Sequence, residues 1–289
     1  MTDNELRDAA VAALKRTTIS YPEWQKRVAA GRYNPKDGST TEWGKAFNSL
    51  AQIGSETPPP PPTTFPPVWA QFSDTFVSPS SRWSWEYAGS STGFPNPGAA
   101  VVDDGRGEKA LRLKIPAGVG GSGILSAAYE PSGQWGKQGV RQRGQVEVRL
   151  VPGLDIADGS YMWILEWHEN QSWNQNLNSC AIGLTDDLRL KFQVSGGDVT
   201  SHQYTIIEDT ELLALNTWYL LEWEHYWSGQ PDGLFSVKLN GRQAISVQRP
   251  TLFRSGSLTD TTVVGLYNYH LPAQVDTSID FAKFAVGAV

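Results

Sequence analysis

From Phe72 to the end, the chain alternates short apolar segments with turn residues, and no stretch there carries a convincing helical stripe. Turn residues stand out at Gly120-Gly121, Gly196-Gly197, Pro231-Asp232-Gly233 and Asn240-Gly241. No fixed-period repeat is present, which argues against a propeller or a solenoid. Ten or more strands in one unbroken region predict a sandwich of two β-sheets. The predicted strands cover residues 72–77, 83–88, 110–115, 145–151, 161–168, 188–194, 218–227, 234–240, 263–269 and 279–286.

The chain before this region has a different organisation. Residues 1–56 contain two predicted helices, at about 4–17 and 41–53, which form a small helical module with an anchoring role. Residues 57–69 are rich in proline and include five consecutive prolines at 58–62. Consecutive prolines form a stiff polyproline II rod, which favours a spacer over a ligand for partner domains. The predicted domains are therefore a module at 1–56, a linker at 57–69 and a mainly β sandwich at 70–289.

Composition excludes several classes of protein. The formal net charge is −6 and no segment is strongly basic, so we expect no nucleic-acid partner. Cys180 is the only cysteine, which excludes an intrachain disulfide framework. Residues 1–15 lack a continuous apolar core, so we expect no signal peptide, and no later run is long enough to span a membrane.

Period-two alternation predicts which side chains share a face of each strand. At 145–150, the residues Val146, Val148 and Leu150 alternate with polar ones. At 161–168, alternation places Tyr161, Trp163, Leu165 and Trp167 opposite Met162, Ile164, Glu166 and His168. At 188–194, four apolar residues oppose Arg189, Lys191 and Gln193. The polar side is either a concave groove suited to a sugar chain or an ordinary solvated face, and alternation alone does not separate the two.

Three segments resemble the motif strands of jelly-roll polysaccharide lyases of the alginate-lyase and heparin-lyase kind. They are QVEVR at 145–149, ILEWH at 164–168 and VGLYN at 264–268, in that order. The resemblance covers about 200 residues and implies a concanavalin-like jelly-roll sandwich. Carried over by position, it implies that His168 and Tyr267 are the catalytic pair and that Arg149 is the arginine of the first motif. β-Elimination needs a neutralised uronate carboxylate, a base near the C5 proton and an acid at the leaving oxygen, which these residue types could supply.

Three departures from the family pattern favour binding over catalysis. The lysine expected before Gly265 is replaced by Val263-Val264, and Gln145 stands where the first motif has its first arginine. Glu166 stands where an uncharged glutamine is usual, and an added carboxylate would repel a uronate. The predicted glycan-binding residues are Glu147, Arg149, Glu166, His168, Trp173, Arg189, Lys191, Tyr267 and Tyr269.

No metal site and no cofactor are expected, with structural calcium as an alternative. The four histidines are too scattered for a zinc motif. The pairs Asp103-Asp104 and Asp186-Asp187 are candidate calcium ligands, although neither matches an EF-hand loop and solvated turn acids are the simpler interpretation.

The N-terminal module is similar to a short module of minor tail proteins from phages that infect actinobacteria. The similarity rests on residues 5–18, on WGKA at 43–46 and on the closing segment 50–54. It implies a protein of the virion tail that docks to other tail proteins through residues 1–56 and works as part of an oligomer.

Three functional hypotheses follow. The first is a phage minor tail protein whose sandwich binds a cell-surface polysaccharide without cleaving it. The alternative is a polysaccharide lyase that uses Tyr267, His168 and Arg149, and the third is a purely structural tail subunit.

Overall fold

The computed structural model describes residues 64–289 except 88–89, 118–123, 131–135, 155, 157–159, 172–174, 198–202, 254–259 and 269–275. The predicted helical module and most of the predicted linker lie outside the described residues. The described residues form sixteen strands: β1 (Phe72–Asp74), β2 (Ser84–Tyr87), β3 (Ser90–Thr92), β4 (Ala99–Asp103), β5 (Lys109–Ile115), β6 (Ile124–Glu130), β7 (Arg141–Leu150), β8 (Tyr161–Gln171), β9 (Gln175–Thr185), β10 (Arg189–Gly196), β11 (Gln203–Leu212), β12 (Trp218–Tyr226), β13 (Leu234–Leu239), β14 (Arg242–Gln248), β15 (Asp260–Asn268) and β16 (Thr277–Ala288).

The strands form two antiparallel sheets of eight strands each. In sheet A the order is β14-β13-β12-β7-β16-β5-β4, and β1 also pairs with β16. In sheet B the order is β11-β10-β9-β8-β15-β6-β2-β3. This arrangement confirms the mainly β sandwich, and among the described residues no helix is long and apolar enough to cross a membrane.

The core lies between the two sheets and is filled by alternate residues of their long strands. Sheet A contributes Val146, Val148 and Leu150 of β7, all buried, and sheet B contributes Leu190, Phe192 and Val194 of β10. Aromatic rings join the sheets, because Trp167 of β8 lies 5.6 Å from Trp223 of β12 between ring centres. The predicted core faces of β7 and β10 are therefore confirmed.

The ten predicted strands are all present with small differences in their ends, and six further strands, β3, β4, β6, β9, β11 and β14, complete the sheets. The predicted turn at Asn240-Gly241 joins β13 to β14, with φ of 50° and 81° at its two residues. Two consecutive residues with positive φ make the tight connection that suits the twist of a hairpin.

His225 lies inside this core and away from the outer faces. Its ring stacks on Phe235 at 4.5 Å and on Trp227 at 4.1 Å, and its Nδ1 lies 3.2 Å from Gln142 Oε1. Burial lowers the pKa of His225 well below its ordinary value, because the charged imidazolium loses its hydration there. His225 is therefore a neutral packing residue of the core.

Candidate functional site

One extra residue in β8 decides which side chains lie on the outer face of sheet B. The pairing of β8 with β9 passes from Trp163 and Gly183 directly to Leu165 and Ile182, so Ile164 is a bulge residue. Ile164 and Leu165 both belong to the core. A bulge of this kind shifts the alternation of the side chains beyond it. Trp163 and Glu166 consequently lie on the same outer face, on either side of the bulge.

Strict alternation predicted a different face for the first half of β8, and that prediction is wrong. Leu165 and Trp167 point into the core as expected. Tyr161 and Trp163 instead pack against each other outside the core, with their ring centres 4.9 Å apart and their planes tilted by 55°. The structure thus places two aromatic rings on the same face as Glu166 and His168, where the sequence pattern had placed them opposite.

The neighbouring strands leave room for these rings. Trp163 lies over Gly183 of β9, where an added Cβ would approach the ring to 2.5 Å. Lys191 of β10 extends over Tyr161 with its Nζ 4.8 Å from the ring centre, a cation–π contact. The absence of a side chain at Gly183 therefore gives Trp163 its position on the face.

Glu166 and His168 form a close pair next to these rings. His168 Nε2 lies 3.3 Å from Glu166 Oε2. The glutamate is fully buried, whereas the histidine keeps 7% of its surface exposed. A carboxylate in this position orients the imidazole and determines which ring nitrogen carries the proton. Such a carboxylate–imidazole pair is a common arrangement for a residue that accepts and returns protons.

On the side of β9 and β10, the side chains next to the pair are small or uncharged. Glu166 is aligned with Ala181 of β9, and Ala181 is aligned in turn with Gln193 of β10. Gln193 Nε2 donates a hydrogen bond to Ser195 Oγ at 3.2 Å. This side of the pair therefore offers amide and hydroxyl groups, which suit the hydroxyls and carbonyls of a sugar.

Tyr161 remains a phenol at neutral pH. Burial raises its pKa, and the neighbouring Tyr204 and Glu166 add to the increase because a phenolate beside another negative charge is unfavourable. Tyr161 is thus a hydrogen-bond donor on the face.

Arg149 and Glu147 lie on the other side of the molecule, which corrects their predicted place beside His168. Both are on β7 in sheet A, and their neighbours Val148 and Leu150 point into the core. Two packed sheets are about 10 Å apart, so a residue on the outer face of sheet A cannot reach a ligand on the outer face of sheet B. A linear motif specifies the strand but not the sheet in which the strand is placed.

Arg149 has a structural role in sheet A. Its Nη2 lies 2.5 Å from Asp280 Oδ2, and Arg112 binds the same carboxylate through its Nε at 2.7 Å. Asp280 is fully buried between the two arginines. Glu147 pairs with Arg106 at 2.5 Å. The charged groups of the first motif are therefore engaged with one another and with their neighbours.

Tyr267 lies in the correct sheet but not at the level of His168. In the register of β8 with β15, Tyr267 is aligned with Trp163, and His168 is aligned with Asp260. The two backbone positions are consequently separated by roughly 15 Å along the strand, at about 3.3 Å per residue. The side chain of Tyr267 lies outside the described part of the structure, so its pairing with His168 stays a prediction.

The remaining predicted binding residues divide into two groups. Arg189 and Lys191 lie on the outer face of sheet B. Arg189 Nε is 2.8 Å from Asp187 Oδ2, and Lys191 Nζ is 2.9 Å from Glu208 Oε1. Trp173 and Tyr269 lie outside the described residues. A glycan-binding role for these four residues stays a prediction.

Three of the four candidate calcium ligands are engaged with basic side chains. Asp103 pairs with Lys109, and Asp187 with Arg189. Burial raises the pKa of Asp104, but hydrogen bonds from the side chain and backbone of Arg106 outweigh it and hold that pKa below its usual value. In the described part of the chain, no three histidine, cysteine or acidic side chains are grouped so that they could hold a metal. A calcium site at these residues stays a prediction.

Sequence reasoning missed the contribution of Tyr161, Trp163 and Tyr204 to the face. Tyr204 is on β11 with 62% of its surface exposed, at the edge of sheet B. The signal that could have found Tyr161 and Trp163 is Gly183, a glycine inside an apolar strand, which often marks a bulge or a close approach. β9 itself was not predicted as a strand, so this signal could not be used.

No protein-family model matches the chain, and no curated protein matches it. Solved structures do match. An endo-β-1,4-glucuronan lyase from the fungus Trichoderma reesei is 15% identical, with a TM-score of 0.61, and the match covers 76% of this chain and 96% of the lyase. Alginate lyase A1-II′, a member of polysaccharide lyase family 7, is 16% identical, with a TM-score of 0.53. The match covers 72% of this chain and 95% of that lyase. Alginate lyase AlyC3 is 10% identical, with a TM-score of 0.52, and the match covers 72% of this chain and 90% of AlyC3.

These likenesses show the fold and correct the leading functional hypothesis. At identities of 10–16% they establish a jelly-roll sandwich of the kind found in polysaccharide lyases. The matches favour the lyase alternative over a glycan-binding part of a phage tail, so that leading interpretation is wrong. The part of the sequence expectation that is confirmed is the mainly β jelly-roll sandwich that the lyase resemblance implied.

Proposed function

We propose that this protein is a polysaccharide lyase that cleaves a uronic-acid polymer by β-elimination. The observation that carries the proposal is the Glu166–His168 pair, held at 3.3 Å on the outer face of sheet B beside Tyr161 and Trp163. The lyase fold supports it as an analogy, since folds host many functions and the site must supply the chemistry.

In this reaction His168 takes the proton from C5 of the uronate at the cleavage point. The C5–H electrons form the C4=C5 double bond, and the bond from C4 to the bridging oxygen breaks. That oxygen leaves with the electron pair and needs one proton. His168 can return the proton when the C5 hydrogen and the C4 oxygen lie on the same side of the ring, so one imidazole balances the reaction.

The other residues of the face bind and orient the sugar. Glu166 orients the imidazole of His168 through the contact at 3.3 Å. Tyr161, which is half-buried, offers aromatic surface against which the C–H face of a sugar ring packs, and Trp163, only 3% exposed, packs against it. Tyr267 stays a candidate for the proton donor on the strength of the motif, at the backbone position aligned with Trp163.

The test is the appearance of unsaturated uronate. The purified full chain is incubated with a panel of uronic-acid polymers, each as the free acid and as an ester, and the ultraviolet absorbance of the C4=C5 double bond is followed. Mass spectrometry of the products separates elimination from hydrolysis, because elimination adds no water. We expect absorbance to rise with the native chain and not with His168→Ala, and to fall with Tyr267→Phe if Tyr267 is the proton donor. No unsaturated product from any polymer, with the protein folded, would refute the proposal.

A further inference from the structure

We propose that the sugar chain crosses sheet B from His168 to the edge strand β11, where Tyr204 and Ile206 form an outer binding subsite for it. This inference rests on the proposed lyase function. It adds a contact that is remote from the cleaved bond and that only a long sugar chain can make.

Exposed apolar surface is concentrated on β11. Six large hydrophobic side chains are exposed in the described part of the chain, and three of them, Tyr204, Ile206 and Leu212, belong to this strand. The other three are valines that lie outside the strands. Single exposed hydrophobic residues are common, whereas several on one strand mark a binding surface. β11 therefore presents a surface that a ligand can cover.

Ile206 lies on the face of sheet B that carries the Glu166–His168 pair. Directly opposed residues of paired strands point to the same face. Ile206 is aligned with Gln193 of β10. Gln193 is aligned in turn with Ala181 of β9, which is aligned with Glu166 of β8. The four strands thus form one row that is three strand spacings long, about 14 Å.

Tyr204 lies on the same face, displaced along β11 toward the level of His168. It is aligned with Ser195 of β10, two residues beyond Gln193. Both β8 and β10 are antiparallel to β9, so the step from Gln193 to Ser195 runs in the same direction as the step from Glu166 to His168. A sugar chain that leaves His168 across the strands therefore reaches Tyr204.

The inner side of β11 is fixed to the other sheet. Asp209 Oδ2 lies 2.5 Å from Arg242 Nη2 of β14. Arg249, just after β14, donates a hydrogen bond from its Nη1 to Thr205 Oγ1. These inward residues of β11 are odd-numbered, and its exposed apolar side chains are even-numbered. Because the strand is already held in place, a ligand that binds its outer side does not have to order it.

The composition of the row favours a sugar chain over a protein partner. The amide of Gln193 lies between the apolar Ile206 and the Glu166–His168 pair, and the ring of Tyr204 offers both an aromatic face and a hydroxyl. Sugar rings present C–H faces and hydroxyls that match these groups. A stable protein interface uses roughly 20–30 residues a side, far more than this strip. The strip is also continuous with the proposed site, where the next units of a cleaved polymer must lie.

The test compares trisaccharides with octasaccharides of alginate, glucuronan and polygalacturonate. A trisaccharide cleaved at His168 extends at most two units to one side and falls short of β11, whereas an octasaccharide can reach it. The ratio of kcat/KM for the octasaccharide to that for the trisaccharide is measured with the native chain and with Tyr204→Ala. We expect this ratio to fall about three- to tenfold in Tyr204→Ala, the factor expected for one aromatic contact. The loss should appear in KM, because a remote contact binds the ground state and the transition state equally.

Two further variants separate the aromatic contact from a general loss of structure. Tyr204→Phe keeps the ring and should keep the ratio within about twofold of the native value. Tyr226→Ala removes a tyrosine from β12 of sheet A and should leave the ratio unchanged. A fall of the ratio in all three variants would overturn the assignment to Tyr204.

The outcomes separate this inference from the proposed function. If the native chain cleaves and Tyr204→Ala has the native ratio, the subsite is wrong and the lyase function stands. A native ratio together with a changed oligomeric state of Tyr204→Ala in analytical ultracentrifugation would also overturn the subsite and assign the strip to a second copy of the chain. Absence of unsaturated product from every oligosaccharide and polymer would overturn the proposed function and the inference with it.

Discussion

The two sheets differ in the balance of their charged residues and in what those residues contact. The strands of sheet A contain nine basic and six acidic residues, and those of sheet B contain two basic and eight acidic ones. On sheet A, Asp280 is held by two arginines and Glu147 by Arg106, so the charges largely satisfy one another. On sheet B, the middle of the face carries aromatic rings and one carboxylate–imidazole pair.

The difference shows how one sandwich can separate stability from chemistry. A network in which each charge has its partner can stabilise the fold but offers little to a ligand. A face with the half-buried ring of Tyr161 and a carboxylate–imidazole pair can instead bind a ligand and exchange protons with it. We therefore expect substitutions on sheet A to change the free energy of unfolding and substitutions on sheet B to change activity.

The largest effect is expected at His168. Replacing His168 with alanine should lower the rate of double-bond formation by about 10²- to 10⁴-fold, the usual contribution of a general base. The midpoint of denaturant unfolding measures any loss of folded protein, because His168 is only 7% exposed, and the loss of activity should be far larger than that loss explains. A loss of activity that only follows a loss of folded protein would remove the distinction between the two faces.

Asp280 is the matching test on sheet A. Asp280→Ala leaves Arg112 and Arg149 without the carboxylate that both bind. We expect the free energy of unfolding to fall by about 3 kcal/mol, the low end of the range for breaking a buried ion pair, since Arg112 is one-third exposed. Chemical denaturation gives the value. Asp103→Ala, which removes an exposed partner of Lys109, should have little effect.

Gly183 tests the support of the aromatic rings. In Gly183→Ala the added Cβ would lie 2.5 Å from both Met162 O and the Trp163 ring, so the strand or the ring must shift. We expect a loss of about 1–3 kcal/mol from overpacking, together with lower activity because Trp163 is displaced. Gly93→Ala is the control, since nothing lies within 4 Å of its added Cβ. Equal stability of the two variants would contradict the placement of Trp163.

The buried His225 predicts how the stability of the core between the two sheets depends on pH. Burial holds its pKa well below the ordinary value of 6.5. The unfolded chain therefore binds a proton below about pH 6.5 that the native protein does not, and stability must fall as the pH decreases from there. The slope from this residue is at most about 1.4 kcal/mol per pH unit. In His225→Gln the pH dependence of unfolding between 6.5 and 5 should be flatter by that amount, and an unchanged slope would show that His225 is not held neutral.

The fold could be predicted from the sequence because alternation and turn residues are local signals. The core faces of β7 and β10 follow from alternate apolar residues, and the Asn240-Gly241 hairpin follows from its turn chemistry. The strands that were missed lack such signals. β6 is rich in small residues, and β11 is an edge strand with exposed Tyr204 and Ile206 and several acidic residues.

The site could be predicted only in part because it depends on long-range pairing. His168 and Glu166 were identified from the motif on β8, and the structure places them in contact. Arg149 was assigned to the same site, yet β7 pairs with β12 and β16 in sheet A. Nothing in a strand's own residues states which sheet it joins. The level of Tyr267 along β8 likewise depends on two irregularities in the register of β15, which alternation does not reveal.

The bulge at Ile164 has a consequence for how such chains are compared or redesigned. Before Ile164 the odd-numbered residues lie on the outer face, and after it the even-numbered residues do. A sequence alignment that closes a one-residue gap there would therefore match core positions with outer-face positions. A deletion of Ile164 would be expected to move either the aromatic pair or the Glu166–His168 pair into the interior. A single inserted residue of this kind can thus join two half-strands into one functional surface without any change in the strand order.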